Sequence, residues 1–234
     1  MTDEPIPSEN PVHPDAEERP WLPDPPPSYR FMKRAIDIFL SALALVVFSP
    51  VFLIIAIAIK LTSRGPLLFR QTRLGYHAQP FKFLKFRSMY LSSDPVMEQR
   101  YVKNLIAGDF VAMGAQPTFK IKQDPRITPI GRFLRRTSLD ELPQFINVLR
   151  GDMSLVGPRP PIPYEVGIYR EWQRQRLSCK PGITGVWQIS GRSRTTFDEM
   201  VKMDLDYIKR QSIFLDLWIL LQTPRATLKG EGAF

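Results

Sequence analysis

The chain has 234 residues, and its 32 lysines and arginines against 23 aspartates and glutamates give a net charge of +9 at pH 7. This length suits one folded unit, and the basic surplus indicates an acidic partner: nucleic acid, an anionic membrane surface or a phosphorylated substrate. A single cysteine, Cys179, excludes an internal disulfide framework, and with only two histidines it argues against a Cys/His zinc site.

The first thirty residues differ in composition from the rest of the chain. Residues 1–30 hold seven acidic and two basic side chains and nine of the 23 prolines. Their net charge is therefore −5, which leaves +14 for the remainder. A segment of this kind buries too little apolar surface to offset the entropy lost on ordering, so we predict a disordered, solvated tail.

A long apolar run follows the tail. Residues 38–59 contain no charged side chain, and about 20 apolar residues suffice to cross a bilayer as a helix. Ser49 and Pro50 stand in the middle, where proline predicts a kink and a serine hydroxyl can satisfy a freed backbone group. Because both flanks are basic, the positive-inside rule favours a re-entrant helix-break-helix hairpin over residues 31–64 rather than a spanning helix.

Two further features concern the membrane surface. Arg34 and Asp37 stand just before the apolar run, at a spacing that allows them to pair at the membrane interface. Residues 212–222 are apolar on almost every side of a helix and include Trp218, which suits a helix lying on the membrane. A core helix explains the same pattern equally well, so both interpretations stay open.

Residues 65–234 are predicted to form a small α+β domain, rich in helix, on the cytosolic face of the membrane. Alternating aromatic and basic residues predict two short strands with Gly75 in their connection. The strands are placed at 67–69 and 81–86, with a third at 186–189. Helices are predicted at 94–115, 130–136, 141–150, 163–178 and 197–209.

Candidate chemistry centres on two adjacent acids, Asp140 and Glu141, which follow a pair of arginines that begins at Arg135. A capping box from Ser138 is disfavoured because Pro143 would then interrupt the helix. We therefore predict that Asp140 caps the helix, where the helix N-terminus keeps a carboxylate ionised and also attracts phosphate. Capping accounts for Asp140 without catalysis, but it explains neither Glu141 nor the arginines.

Other basic residues also indicate phosphate binding. Arg159 stands between Pro158 and Pro160, which stiffen the backbone and present the guanidinium at low entropic cost. Lys85 and Arg87 add positive charge nearby in the sequence. The alternatives are a surface arginine on a turn and a solvated or lipid-facing surface. The sequence contains no P-loop and no G-x-G-x-x-G motif, so a Rossmann site is not supported.

Several motifs occur together in one order along the chain. They are Lys33-Arg34-x-x-Asp37, the break at Ser49-Pro50, Lys85-Phe86-Arg87-Ser88-Met89, Thr137-Ser138-Leu139-Asp140-Glu141-Leu142-Pro143-Gln144, Met153-Ser154-Leu155-Val156-Gly157-Pro158-Arg159-Pro160 and Lys180-Pro181-Gly182-Ile183-Thr184-Gly185. Together they resemble the bacterial sugar transferase family of monotopic polyprenyl-phosphate phosphoglycosyl transferases. The resemblance covers about residues 31–227 and is to the small, minimal members, without an additional N-terminal membrane domain.

The resemblance implies a reaction and its partners. Such enzymes transfer a phosphosugar from a UDP-sugar to undecaprenyl phosphate and release UMP, at the first membrane step of exopolysaccharide, O-antigen or glycoprotein glycan assembly. The implied location is the cytoplasmic face of the bacterial inner membrane. Mg²⁺ is the implied cofactor, nucleic acid is not a partner, and a homo-oligomer is left open.

The resemblance also implies roles for individual residues. Asp140 is the expected nucleophile, forming a phosphosugar-aspartyl intermediate, and Glu141 is the expected magnesium-linked carboxylate. The expected substrate-binding residues are Lys85, Arg87, Arg135, Pro158, Arg159, Pro160, Arg192, Asp204 and Asp216. Two other functions stay open: a membrane-anchored basic lipid-binding or scaffold protein without catalysis, and a hydrolase that cleaves nucleotide sugars with water.

Overall fold

The computed structural model describes residues 21–90, 104, 106, 124, 126–190 and 195–228, which form a helix-rich α+β fold. The α-helices are α1 (Pro27–Val47), α2 (Ser49–Thr62), α3 (Pro129–Thr137), α4 (Gln144–Arg150), α5 (Pro163–Gly167), α6 (Glu171–Arg174), α7 (Val186–Ile189), α8 (Phe197–Arg210) and α9 (Ile213–Leu228). The strands are β1 (Leu68–Leu74), β2 (Pro80–Phe86), β3 (Ser154–Val156) and β4 (Gly182–Thr184). The helix predicted at 94–115 lies almost wholly outside the described residues.

The apolar run forms two helices separated by a bend. Helices α1 and α2 meet at Phe48 and are inclined by 60°. Pro50 occupies the first turn of α2, where its missing N–H costs nothing. The Ser49 hydroxyl donates to the carbonyl of Val46 at 2.8 Å, which satisfies an acceptor freed by the break. No single described helix is long and apolar enough to span a bilayer, whereas α1 and α2 taken together have the necessary length and composition.

Helix α1 begins inside the segment predicted to be a disordered tail. It starts at Pro27, and Tyr29 is already buried. Ahead of the helix, Trp21 stacks on His77 and the N–H of Leu22 donates to Ser178 Oγ at 3.0 Å. The prediction of disorder is therefore wrong for residues 21–30, because aromatic side chains among the prolines bury apolar surface. The remainder of that prediction lies outside the described residues.

The Lys33-Arg34-x-x-Asp37 motif, in the first half of α1, attaches the helix to the rest of the protein. Lys33 pairs with Asp216 of α9, while Arg34 donates to the carbonyls of Val148 and Leu149 at the end of α4. Asp37 accepts hydrogen bonds from two groups of β3, at 3.1 and 3.0 Å. The predicted Arg34–Asp37 pair is wrong, since each side chain binds the folded domain instead.

Two small sheets frame the domain. Strands β1 and β2 pair antiparallel in the predicted region, and β3 and β4 pair in parallel. The larger hydrophobic core lies between β3, α8 and α9, and its fully buried members include Met153, Val201 and Ile219. A polar side chain ties β2 to α4: Asn147 accepts from the N–H of Leu84 at 3.0 Å.

The structure corrects two predicted elements and decides the environment of a third. The helix predicted at 163–178 is divided into α5, α6 and a 3₁₀ turn at Gln175–Ser178. The strand predicted at 186–189 is the short helix α7. Strands β3 and β4, which pair in parallel, were not predicted. Residues 213–222 lie in α9, which buries Ile219 but exposes Phe214, Trp218 and Leu221, so this segment has both a core face and an exposed apolar face.

A glycine in β4 permits the close approach of two backbone segments. A Cβ atom on Gly182 would clash with the amide nitrogen of Gly157 and with the carbonyl of Thr184. We expect Gly182→Ala to lower the free energy of unfolding by about 1–3 kcal/mol, because backbone atoms cannot move aside as a flexible side chain can. Thermal unfolding of the purified protein measures this, with Gly167→Ala as control, since nothing lies within 4 Å of a Cβ there. Equal melting temperatures for the two variants would contradict the expectation.

Candidate active site

The two adjacent acids lie on a tight turn between α3 and α4. Asp140 and Glu141 belong to a 3₁₀ turn, Leu139–Glu141, that follows Ser138 in the left-handed conformation at φ 56°. Asp140 is buried and Glu141 is half-buried. The prediction that Asp140 caps the next helix is wrong: α4 starts at Gln144, and no side chain caps it.

The turn is anchored by its leucines. Leu142 and the partly buried Leu139 pack in a second hydrophobic cluster with Leu134 of α3 and with Ile55 and Ile59 of α2. Because the acids lie between the two leucines in the sequence, this cluster fixes the backbone that carries them. The bent helix pair thus contributes directly to the position of the acidic turn.

Arg135 brings an unsatisfied cation to the same region. Its Nη1 atom is buried and has no hydrogen-bond partner among the described residues. A buried donor without a partner costs about 1–3 kcal/mol, and more for a charged group. The pKa of Asp124 is lowered mainly by its hydrogen bonds from Arg126, and the charge of Arg135 adds to that effect. The site can therefore offer a charged donor to an anionic ligand.

The Pro-Arg-Pro segment lies between β3 and α5 and points one side chain outward. Pro158 and Pro160 are buried, whereas Arg159 is half-buried, although every other residue from 153 to 162 is buried. The carbonyl of Pro158 accepts from the N–H of Gly182 in β4 at 2.9 Å. This arrangement presents the guanidinium of Arg159 on a fixed backbone.

Lys85 in β2 and Arg87, which directly follows the strand, have different environments. The Lys85 ammonium lies 5.2 Å from the ring centroid of Phe69, and Lys85 is half-buried. Arg87 is buried and donates to the carbonyls of Arg64 and Ser63 at 2.8 and 2.7 Å. Arg87 was predicted to bind substrate, but its donors hold the segment that follows α2.

The acids Asp204 and Asp216 lie in buried ion pairs. Asp204 accepts from Arg176 at 2.6 Å, and burial raises the pKa of Asp204 while Arg176 opposes that shift. Asp216 accepts from Lys33 and from two tyrosine hydroxyls. Both acids were predicted to bind substrate, whereas these contacts place them in the framework of the domain. Arg192 lies outside the described residues.

Sequence reasoning singled out Lys33, one partner of Asp216, but not Arg176 or Tyr207. These two residues fall within predicted helices, with no motif to distinguish them from surface residues. The buried Arg73 of β1 was not singled out either. A signal was available in the spacing of acids along α8, since Asp204 follows Met200 and Val201 on the apolar face. An acid on the apolar face of a helix needs a buried cation.

The described residues do not form a metal site from protein ligands alone. They include no group of three or more His, Cys, Asp or Glu side chains arranged to hold a metal ion. Mg²⁺ is usually bound by one or two carboxylates together with substrate phosphates and water. The half-buried carboxylate of Glu141, next to Asp140, fits that kind of site.

Comparison with known proteins decides the family. The profile of the family described as bacterial sugar transferase matches residues 28–230. The chain belongs to the bacterial sugar transferase family. The match begins in α1 and ends beyond α9, so it includes the bent helix pair, the acidic turn and the Pro-Arg-Pro segment.

Curated relatives of this bacterial sugar transferase act on sugars or take part in polysaccharide production, by their names. The galactosyl transferase CpsE of Streptococcus agalactiae is 45% identical over 88% of the chain and 44% of its own length. The UDP-glucose:undecaprenyl-phosphate glucose-1-phosphate transferase of Escherichia coli is 44% identical over 88% of the chain and 42% of its own length. The exopolysaccharide production protein ExoY of Rhizobium meliloti is 39% identical, over 86% of the chain and 88% of its own length. The chain thus spans less than half of the first two.

Proposed function

We propose that this bacterial sugar transferase moves a phosphosugar from a UDP-sugar to undecaprenyl phosphate and releases UMP. The observation that carries the proposal is the buried Nη1 atom of the half-buried Arg135, which has no partner among the described residues and lies a few residues before the fixed acidic turn. A charged donor and a carboxylate held on one rigid segment suit an attack on a phosphate. The Escherichia coli relative, which is named for undecaprenyl-phosphate glucose-1-phosphate transfer, supports the same acceptor and the same class of donor.

The proposed mechanism uses two displacements at phosphorus. Asp140 attacks the β-phosphorus of the donor, so a carboxylate–phosphorus bond forms while the bond to the bridging oxygen of UMP breaks. An oxygen of undecaprenyl phosphate then attacks that phosphorus and returns the electron pair to the Asp140 carboxylate. Arg135 and Arg159 offset the charge of the meeting anions. When bound through Glu141, Mg²⁺ would neutralise charge developing on the leaving phosphate.

Exposed apolar side chains support a membrane location. Helices α1 and α2 expose a series of large apolar residues that a soluble protein would normally cover. The most exposed members are Phe31, Phe39, Val46, Leu53, Ile54 and Leu61. We assign these side chains to contact with lipid. In this arrangement the helix pair enters the cytoplasmic leaflet of the bacterial inner membrane, turns at its bend and returns to the cytoplasmic face.

Helix α9 extends the same membrane-facing surface. Its outer face exposes Phe214 and Leu221 by 83% and 75%, and Trp218 suits the depth of the lipid headgroups. Because Asp216 binds Lys33 and Tyr29 of α1, the helix is joined to the bent pair. This arrangement favours an interfacial position for α9, with its opposite face in the core.

The nucleotide product tests the proposed reaction. We expect the protein in lipid nanodiscs with UDP-sugar and Mg²⁺ to release UMP only when undecaprenyl phosphate is present, apart from a single-turnover burst. Chromatography of the nucleotides and mass spectrometry of the protein measure this, with the phosphosugar adduct expected on Asp140. UDP as the product would mean ordinary glycosyl transfer, and continuous lipid-independent UMP would mean hydrolysis. Either result would overturn the proposal.

A further inference from the structure

The Pro-Arg-Pro segment is held through its carbonyl groups. Residues 158–161 contain three prolines, so the segment has one backbone N–H and depends on other elements for hydrogen bonds. All four carbonyls accept a bond from elsewhere. The donors are the N–H of Gly182 to Pro158, Arg176 Nη2 to Arg159, Arg73 Nη1 to Pro160 and the N–H of Leu74 to Pro161.

Two of these four donors are buried arginine side chains. Arg73 donates to the Pro160 carbonyl at 2.6 Å, and its guanidinium lies 4.8 Å from the ring centroid of Phe83. The Gln71 side chain accepts from two other nitrogens of Arg73, at 3.1 and 2.9 Å. The contact with the Phe83 ring and the bonds to Gln71 thus hold the guanidinium in place, and its Nη1 atom donates to the carbonyl next to Arg159.

The second arginine is fixed by a carboxylate. Arg176 Nη2 is shared between Asp204, at 2.6 Å, and the carbonyl of Arg159, at 3.4 Å. Nη1 of Arg176 donates to the hydroxyl of Tyr169 at 3.2 Å. The side chains of Arg176 and Asp204 are almost completely buried. Among the described residues, Arg176 thus links Asp204 to the backbone of Arg159.

From this geometry we propose that Arg73 and the Arg176–Asp204 pair are positioning residues that set the Arg159 guanidinium on the phosphates of the nucleotide sugar. The inference rests on the proposed function. A rigid segment suits this task, because a guanidinium loses affinity for phosphate when its backbone can rotate. Asp204 then contributes to donor binding without touching the donor.

Double-mutant analysis separates positioning from a structural role. We expect Arg159→Gln to raise the KM for the UDP-sugar by about 10- to 100-fold, the effect of losing a charged hydrogen bond to a phosphate. Arg73→Met should raise it about 10-fold, and Arg73→Lys less, because lysine keeps one donor. The KM for undecaprenyl phosphate should not change. In the Arg159→Gln background, Arg73→Met should change the donor KM by less than about twofold, since coupled residues are not additive.

A matched control removes the same chemistry elsewhere. Arg34 also donates to backbone carbonyls, at the end of α4. Arg34→Met should lower the melting temperature as Arg73→Met does but leave the donor KM within about twofold of the wild type. Additive effects of Arg73→Met and Arg159→Gln, or an equal rise of the donor KM in Arg34→Met, would overturn the inference.

Binding measurements keep the test independent of turnover. Calorimetry of UDP with the same variants gives the coupling between Arg73 and Arg159 in terms of Kd, even if the wild type transfers no phosphosugar. Absence of turnover with coupled UDP binding would refute the proposed function and retain the inference. Absence of UDP binding to a folded wild-type protein, or uncoupled binding, would refute the inference. Asp204→Asn, if folded, should weaken UDP binding as Arg73→Met does.

Discussion

Replacing Asp140 by asparagine is expected to reduce turnover by at least about 10³-fold, since loss of a nucleophile removes the covalent route. Asparagine has the size of aspartate, so the buried turn should keep its shape. The variant should form no phosphosugar adduct when it is incubated with UDP-sugar. UMP release in nanodiscs and mass spectrometry of the intact protein measure the two effects.

Two controls make the Asp140 result specific. Asp152 follows α4, and its half-buried carboxylate accepts a hydrogen bond from Asn147. Asp152→Asn should keep activity within about twofold of the wild type. Flotation with lipid vesicles should be equal for Asp140→Asn and the wild type. An Asp140→Asn protein that retains a tenth of the activity or more would show that another residue forms the intermediate.

A large loss of stability is expected for Asp216→Ala. Asp216 accepts hydrogen bonds from Lys33 and Tyr29 of α1, both at 2.8 Å, and from Tyr207 of α8 at 2.7 Å. Without Asp216 the largely buried ammonium of Lys33 has lost its carboxylate partner. The loss of such a partner lowers the free energy of unfolding by about 3–5 kcal/mol. Thermal unfolding in detergent should show a clearly lower melting temperature.

The double variant Lys33→Met with Asp216→Leu tests the cause of that loss. Apolar side chains of similar size often replace a buried ion pair at little cost, so the double variant should melt nearer to the wild type than Asp216→Ala does. If Asp216 served substrate directly, Asp216→Ala would lose activity at an unchanged melting temperature. That outcome would contradict the structural role inferred from the contacts.

Local signals in the sequence predicted the parts of the fold that are decided locally. A proline in the middle of a helix removes a backbone hydrogen bond and clashes with the preceding turn, so the bend at Phe48 followed from the position of Pro50. Strands on each side of Gly75 were predicted, but the first was placed only at 67–69, whereas β1 extends over Leu68–Leu74. Long amphipathic helices such as α8 were predicted to within one residue at their ends, because their periodicity extends over several turns.

Elements and roles that depend on distant residues were not predictable. The four residues of α7 are too few to distinguish a helix from a strand by periodicity. The 3₁₀ turn at the acidic pair depends on the packing of Leu139 and Leu142 against α2, which comes about eighty residues earlier. Asp204 pairs with Arg176, which is 28 residues away, and Asp216 pairs with Lys33, which is 183 residues away. No local pattern therefore shows that the two acids are buried.

The cluster that joins α2 to the acidic turn limits how the protein can be divided. Ile55 and Ile59 supply part of the apolar surroundings of Leu134, so removal of α1 and α2 would open that cluster to water. A truncated domain prepared for crystallisation would expose the leucines on each side of Asp140 and Glu141 and would tend to aggregate. The bent helix pair is therefore a folding requirement for the acidic turn, and assays call for the intact chain in detergent or lipid.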